Sequence, residues 1–264
     1  MHWRLGVIGS PIEHSVSPRL HEAGLRYLGL KGTSEKLEID LAHAGHITEV
    51  MGQRFDAVSL TMPLKEVAAQ LCDEVDETAA RLGVVNTLVC REGSLRGAST
   101  DGKGFTDSLH AQFSLSVANL HVVVLGSGGA ARGIVDALVA EAVGSVAVIG
   151  RNASSVASLV GRYPDVVDHS LMYRPVDLIV NTTPSQRRTD SSAVMQGVSR
   201  DTVAVDITYS PRISPWLDLH DRLGCRYANG LAMVAHTVAR QMNWWWQSDI
   251  PPSYLLAALV EDVA

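Results

Sequence analysis

Residues 121–131 read HVVVLGSGGAA, an apolar run that passes directly into a glycine-rich turn. The apolar run is typical of a strand buried in a parallel sheet. The turn fits the pattern G-x-G-x-x-A, and an alanine-rich helix follows it. In this order the first glycine permits a tight turn and the second lets the backbone approach a pyrophosphate, while the helix N-terminus offers N–H groups to phosphate. The stretch therefore predicts a dinucleotide-binding βαβ unit; the alternative is a tight turn that binds nothing.

The second strand of this unit, residues 145–149, ends in front of Gly150-Arg151-Asn152. A site selective for NAD would carry Asp or Glu near this place, to bind the 2′-hydroxyl of the ribose. Arg151 stands there instead, and a guanidinium can hold a 2′-phosphate with two parallel hydrogen bonds. The sequence therefore predicts NADP as the cofactor; the alternative is an ordinary exposed arginine.

Strand-like and helical patterns alternate on both sides of this unit. The predicted strands span residues 5–8, 37–40, 57–61, 177–180 and 203–207, and residues 85–90 and 94–98 form two more that are joined by a turn. The predicted helices span about 64–71, 76–82 and 101–112. An alanine-rich helix follows the glycine-rich turn and ends at about Val143, and a last helix begins at about Leu231. The alternation predicts an α/β fold with a doubly wound parallel sheet.

The length of 264 residues fits two domains of ordinary size. We expect an N-terminal α/β substrate-binding and catalytic domain formed by residues 1–101 and 230–264. A Rossmann-like dinucleotide-binding domain would then span residues 102–229, and the last helix would return to the first domain.

Composition narrows the class of protein. With 46% apolar residues the chain can build a core, and its 28 acidic against 22 basic residues argue against binding to nucleic acid or an anionic membrane. Three scattered cysteines, Cys72, Cys90 and Cys225, predict buried free thiols rather than disulfides, and no metal-ligand spacing is evident. No signal peptide and no apolar run of about 18 residues is present, so we expect a cytoplasmic protein.

Polar patches follow several of the predicted strands. Ser15 and Ser17 lie in the loop after the first strand, Thr61–Lys65 follows another strand, and Asp101 closes a Ser-Thr-Asp triplet that lies a short distance after Asn86. Hydroxyls, an amide, an ammonium and a carboxylate suit a ligand with several hydroxyls and a carboxylate. The alternatives are structural: Ser17 would cap a helix and Asn86 would fix a turn.

The order of these motifs along nearly the whole chain resembles the shikimate dehydrogenase family. The matching stretches are GSPIEHSVSP at 9–18, TMPLKE at 61–66, VNTLV at 85–89, STDG at 99–102, GSGGA at 126–130, NTTP at 181–184, DITYSP at 206–211 and NGLAM at 229–233. The resemblance implies NADPH-dependent reduction of 3-dehydroshikimate to shikimate in aromatic amino-acid biosynthesis. Relatives within the family act on quinate or aminoshikimate, sometimes with NAD.

The resemblance also implies roles for individual residues. Lys65 and Asp101 match the catalytic pair. Side chains that would hold the carboxylate and ring hydroxyls of the substrate are Ser15, Ser17, Thr61, Asn86 and Tyr209. Cofactor contacts would come from Gly126, Gly128, Gly129 and Ala130 at the phosphates, Arg151 at the 2′-phosphate, and Thr182, Pro184 and Met233 beside the nicotinamide.

Four positions depart from the family pattern. Gly150 replaces the Asn that usually precedes Arg151. Ser59 and Ser99 each replace a usual Asn, and Thr237 replaces a Gln that touches the substrate on the last helix. We still expect Thr237 in the substrate site. The shorter side chains at 59 and 237 either weaken a contact to a ring hydroxyl or make room for a larger substituent. Shikimate, quinate and aminoshikimate therefore stay open as substrates.

A second class of function also stays open: a non-catalytic sensor of a dinucleotide or metabolite on the same fold, because a fold does not determine an activity. The presence of both Lys65 and Asp101 favours the enzyme. We expect a small-molecule substrate and a monomer or homodimer. Residues 244–246, three tryptophans, are predicted to pack or form an interface, and Arg187-Arg188 would either flank the cofactor or be solvated.

Overall fold

A computed structural model describes residues 2–167, 174–184 and 195–260 of the chain. The chain divides into two compact units. The first contains Met1–Gly104 and Val234–Ala264, and the second contains Phe105–Met233. The pair Arg187-Arg188 lies outside the described residues.

The first unit is built on a six-stranded sheet with the order β2-β1-β3-β5-β6-β4. Its strands are β1 (His2–Gly9), β2 (Lys31–Glu38), β3 (Ala57–Leu60), β4 (Glu74–Val75), β5 (Thr87–Arg91) and β6 (Ser94–Ala98). Strand β1 pairs in parallel with β2 and β3, whereas β5 is antiparallel to both β3 and β6. The sheet of this unit is therefore mixed.

The antiparallel pair arises from a tight turn that the sequence does show. Glu92 and Gly93 both have positive φ, 54° and 81°, between β5 and β6. Two such residues form the hairpin turn that matches the twist of antiparallel strands, and glycine favours this conformation. The prediction of two strands joined by a turn at this place is confirmed.

Helices pack around this sheet. In the first unit they are α1 (Ser17–Tyr27), α2 (His46–Val50), α3 (Lys65–Leu71), α4 (Glu77–Leu82) and α10 (Pro252–Val260). Two further helices, α5 (Asp101–Phe113) and α9 (Leu231–Trp246), each contain one of the two boundaries between the units. Helix α1 has Val16 as its N-cap and no side chain caps it, so the interpretation of Ser17 as a cap is wrong.

The second unit contains a five-stranded, wholly parallel sheet with the order β11-β10-β9-β7-β8. Its strands are β7 (His121–Leu125), β8 (Ser145–Ile149), β9 (Leu178–Asn181), β10 (Val203–Asp206) and β11 (Arg226–Asn229), and its helices include α6 (Gly129–Ala140), α7 (Ala153–Arg162) and α8 (Pro215–Arg222). Val122 and Val124 are fully buried against Ile134 of α6. The predicted strand–turn–helix–strand unit is confirmed.

Other features differ from the sequence prediction. Strand β2 starts at Lys31 rather than at Leu37, because all eight of its residues pair with β1 although most of them are polar. An edge strand has solvent on one side, and polar residues there are common. Cys72 and Cys90 are half-buried, and only Cys225 is buried. Among the described residues, no helix is long and apolar enough to cross a membrane.

Candidate active site

Lys65 and Asp101 meet at the starts of two helices. Lys65 is the first residue of α3, and its carbonyl accepts a hydrogen bond from the N–H of Val85 at 2.8 Å. Asp101 is the first residue of α5, where the positive end of the helix dipole favours a carboxylate. Lys65 Nζ lies 2.6 Å from Asp101 Oδ2, and the two side chains are only 16% and 11% exposed. The sequence placed these residues on separate elements, and the fold joins them in one ion pair.

Asn86 holds the carboxylate from the other side. Its Nδ2 donates to Asp101 Oδ1 at 2.7 Å, and its Oδ1 accepts from the N–H of Thr100 at 2.8 Å. Asn86 is 1% exposed, so its position is set by the protein interior. Both oxygens of Asp101 are thereby engaged, and the carboxylate keeps one orientation toward the ammonium of Lys65.

The serines of the first loop lie side by side. Ser15 Oγ is 3.3 Å from Ser17 Oγ, and it also accepts a 3.3 Å hydrogen bond from the N–H of Ser17. Ser15 is half-buried and Ser17 is buried. Thr61 directly follows β3 and is half-buried, and its carbonyl accepts from the N–H of Leu64 in the turn that leads to α3. The turn carries Lys65 to the start of its helix.

Thr237 packs tightly on helix α5. A Cβ placed on Gly104 would lie 2.4 Å from Thr237 Oγ1 and 2.9 Å from its Cα. The Thr237 hydroxyl is buried and has no hydrogen-bond partner among the described residues. Gly104 lies one turn after Asp101, so this contact sets the distance of that turn from α9. Contact of Thr237 with a substrate stays a prediction.

The glycine-rich turn of the second unit has the shape that a phosphate cradle needs. Gly126 has a φ of 118°, and a Cβ there would lie 2.1 Å from Thr182 Oγ1. Gly128 is the exposed N-cap of α6, and no side chain in the described part of the chain caps that helix. Gly129 and Ala130 form its first, half-exposed turn. The first-turn N–H groups are thus available to an anion, which suits a pyrophosphate.

The remaining residues of the predicted cofactor set differ in exposure. Arg151 is exposed between β8 and α7, and Asn152 beside it caps α7 by accepting from the N–H of Ser155. Pro184 is exposed.

Thr182 Oγ1 donates to the carbonyl of Leu125 at 2.7 Å. Met233 lies deeper, 8% exposed within the core of the second unit. Tyr209, a predicted substrate contact, is half-buried in the same unit.

Comparison with known proteins determines the family. The family model described as the shikimate dehydrogenase substrate binding domain matches residues 7–88. A shikimate dehydrogenase (NADP(+)) of Oceanobacillus iheyensis is 32% identical over 256 residues, covering 93% of each chain. One of Staphylococcus aureus strain MRSA252 is 30% identical over 265 residues, covering 98% of each chain. This chain belongs to the shikimate dehydrogenase family.

A solved structure of the family agrees in fold as well. The shikimate 5-dehydrogenase of Thermus thermophilus, in complex with NADP(H) and shikimate, has a TM-score of 0.86 at 31% identity, over 97% of this chain and 98% of that one. The predictions of a shikimate dehydrogenase family member and of a two-domain α/β fold are therefore confirmed.

Two further buried polar residues, which the sequence did not indicate, belong to a hydrogen-bond network that reaches Asn86. Gln241, one turn after Thr237 on α9, donates from Nε2 to the carbonyl of Asn86 at 3.0 Å. His21 on α1 is fully buried, and burial lowers its pKa to about 3. The last long helix thus contacts the backbone of Asn86 through Gln241, four residues after Thr237. The spacing of four residues on one helix face is the signal that could have indicated it.

Proposed function

We propose that this chain catalyses the NADP-dependent, reversible reduction of 3-dehydroshikimate to shikimate. The observation that carries the proposal is the nearly buried ion pair of Lys65 and Asp101, 2.6 Å apart, in a chain of this family. A sensor of metabolites has no need to keep an ammonium and a carboxylate in such an arrangement. An uncompensated buried charge costs several kcal/mol, so the two charges depend on each other.

Lys65 supplies the proton. When NADPH is bound, it would supply the hydride for the ketone carbon, and the carbonyl oxygen would need a proton from the protein. One N–H of the Lys65 ammonium points to Asp101, which leaves two for the substrate oxygen. In the reverse direction the amine takes the proton back from the hydroxyl.

Asp101 orients Lys65 and accepts a hydrogen bond from a neighbouring ring hydroxyl. Its carboxylate is held by Asn86 before the substrate arrives, so little reorganisation is needed during the reaction. We assign the substrate carboxylate and the other hydroxyls to the predicted set of Ser15, Ser17, Thr61, Asn86, Tyr209 and Thr237.

The cofactor belongs to the second unit in this proposal. The N-terminus of α6 would receive the pyrophosphate, and Arg151 would pair with the 2′-phosphate. The geometry that supports the fit is the uncapped start of α6 at Gly128, where a Cβ would meet nothing within 4 Å, and the tight turn at Gly126, where a Cβ would collide with Thr182. The absence of Asp and Glu from residues 149–154 supports NADP over NAD.

The test is turnover of three alcohols with two cofactors. The purified chain is incubated with shikimate, quinate or aminoshikimate, each with NADP⁺ or NAD⁺, and the absorbance of the reduced nicotinamide is followed. The proposal predicts the highest kcat/KM for shikimate with NADP⁺. A higher value with quinate or aminoshikimate would change the substrate, a preference for NAD⁺ would contradict the role of Arg151, and no turnover with any pair would favour a sensor.

A further inference from the structure

A buried chain of hydrogen bonds runs from the edge strand of the first unit to Asn86, which in turn holds the carboxylate of Asp101. His21 Nδ1 lies 2.8 Å from Ser34 Oγ, and His21 Nε2 lies 2.9 Å from Ser59 Oγ. Ser59 Oγ lies 2.5 Å from Gln241 Oε1, and Gln241 Nε2 lies 3.0 Å from the carbonyl oxygen of Asn86. His21, Ser59 and Gln241 are 0%, 5% and 2% exposed. These three side chains, called the relay below, join α1, β3 and α9.

Each hydrogen bond of the relay has one possible direction. The carbonyl of Asn86 can only accept, so the amide nitrogen of Gln241 must face it and the amide oxygen must face Ser59. Ser59 therefore donates its single hydroxyl proton to Gln241 and accepts from His21. It follows that His21 carries a proton on Nε2. Burial disfavours the charged ring and lowers its pKa to about 3, so Nδ1 has no proton and accepts a hydrogen bond from Ser34.

The relay ends on the residue that orients the carboxylate of Asp101. The carbonyl of Asn86 accepts from Gln241 and from the N–H of Leu60 at 2.8 Å, and its side chain holds Asp101 at 2.7 Å. Asn86 lies in the short segment directly before β5, so these two acceptor contacts fix it against β3 and α9. A displaced Asn86 would release one oxygen of Asp101.

We propose that Gln241 and Ser59 are positioning residues that hold Asn86 and, through it, the carboxylate of Asp101 for proton transfer by Lys65. The inference rests on the proposed function, since it assigns the pair its catalytic task. It also gives Ser59 a role other than a ligand contact. The Ser59 hydroxyl is buried and donates its only proton to Gln241, so it does not face the substrate.

The test is a double-mutant cycle in kcat for shikimate oxidation. Ser59→Ala and Gln241→Met each break the relay at one bond, and each is expected to lower kcat by about 10- to 100-fold, the cost of a small misplacement of catalytic groups. The kcat of the double variant should lie no more than about threefold below that of the less active single variant, because both changes break the same connection. The KM for shikimate should rise by less than kcat falls.

Thr87→Val is the matched control. Thr87 pairs with Ser59 across the two strands, is fully buried, and donates its hydroxyl to the carbonyl of Val58, outside the relay. Its removal should lower stability and leave kcat within about threefold of the unchanged chain.

The outcomes separate the two proposals. An unchanged chain that does not oxidise shikimate overturns the proposed function and the relay with it. An active chain whose single variants keep the original kcat, whose losses multiply in the double variant, or whose Thr87→Val control loses as much kcat overturns the relay alone. Circular dichroism checks folding at the assay temperature. If Ser59→Ala does not fold, Gln241→Met decides, because it conserves volume and leaves Ser59 paired with His21.

Discussion

At the scale of single residues, the sequence predicts the proposed catalytic pair but does not predict the buried residues that hold the site in place. Lys65 and Asp101 each lie in a short motif whose order along the chain is specific, so both were predicted. Their meeting at 2.6 Å is a property of the fold. His21 and Gln241 were missed because each lies in an ordinary helical stretch, and their roles depend on three elements that are distant in sequence.

Burial of His21 predicts a dependence of stability on pH. Its pKa falls from an ordinary value of 6.5 to about 3 in the folded chain because burial disfavours the charged ring. Between these values the unfolded chain binds a proton that the folded chain does not. The free energy of unfolding should therefore decrease as the pH falls below 6.5, by up to about 1.4 kcal/mol per pH unit from this residue.

Urea unfolding at several pH values between 6.5 and 4 measures this slope. His21→Gln should flatten it, and the matched change of an exposed histidine, His46→Gln, should leave it as it is. Equal slopes for His21→Gln and the unchanged chain would contradict a neutral, buried ring in the folded state.

At the scale of secondary-structure elements, local sequence patterns predict units whose elements are adjacent along the chain. Contacts between distant elements do not follow from such patterns. The unit of β7, α6 and β8 was predicted because its strand, turn and helix are adjacent along the chain. Helix α5 contacts α9 where Gly104 meets Thr237, and the sequence near either residue does not predict this contact. The polar strand β2 was placed too late for a similar reason, since its partner β1 determines its length.

Gly104→Ala should displace the first turn of α5. The added methyl group would lie 2.4 Å from Thr237 Oγ1 and 2.9 Å from the Thr237 backbone nitrogen, so α9 cannot make room with a side chain alone. We expect a loss of about 1–3 kcal/mol in the free energy of unfolding, together with a lower kcat because Asp101 lies on the same turn.

The matched control for this change is Gly161→Ala in α7, where an added Cβ meets nothing within 4 Å. It should raise the free energy of unfolding by about 0.5–1 kcal/mol, as alanine does in a helix interior. Thermal unfolding and turnover of both variants decide the matter. A Gly104→Ala chain as stable and active as the unchanged one would refute the tight contact.

At the scale of the whole molecule, the net charge of −6 describes the surface rather than the sites. The proposed sites concentrate positive charge at Lys65, Arg151 and the start of α6. The acidic charge balance argues against broad binding to polyanions, and it could not locate these positive positions. The division into two units followed from length and motif order, whereas the strand order in the sheet of the first unit was seen only in the structure.

Cofactor binding should stabilise the folded chain in a way that depends on Arg151. At about 100 times its Kd, NADP⁺ should add about 2.7 kcal/mol to the free energy of unfolding, or roughly 5–10 °C in Tm for a chain of this size. NAD⁺ at the same concentration should add less. Arg151→Ala should reduce the NADP⁺ shift to that of NAD⁺, and the exposed control Arg200→Ala should not. Equal shifts for both cofactors with the unchanged chain would contradict the role of Arg151.

The central claim is that Lys65 donates the proton in the reduction of 3-dehydroshikimate by NADPH. Its most direct test is the steady-state kcat of that reduction for the unchanged chain, for Lys65→Ala and for the exposed control Lys31→Ala, followed by the absorbance of NADPH. We predict a loss of about 10²–10⁴-fold for Lys65→Ala, the usual contribution of a positioned proton donor, and no loss for Lys31→Ala. A Lys65→Ala chain that reduces 3-dehydroshikimate at the original rate would contradict the claim.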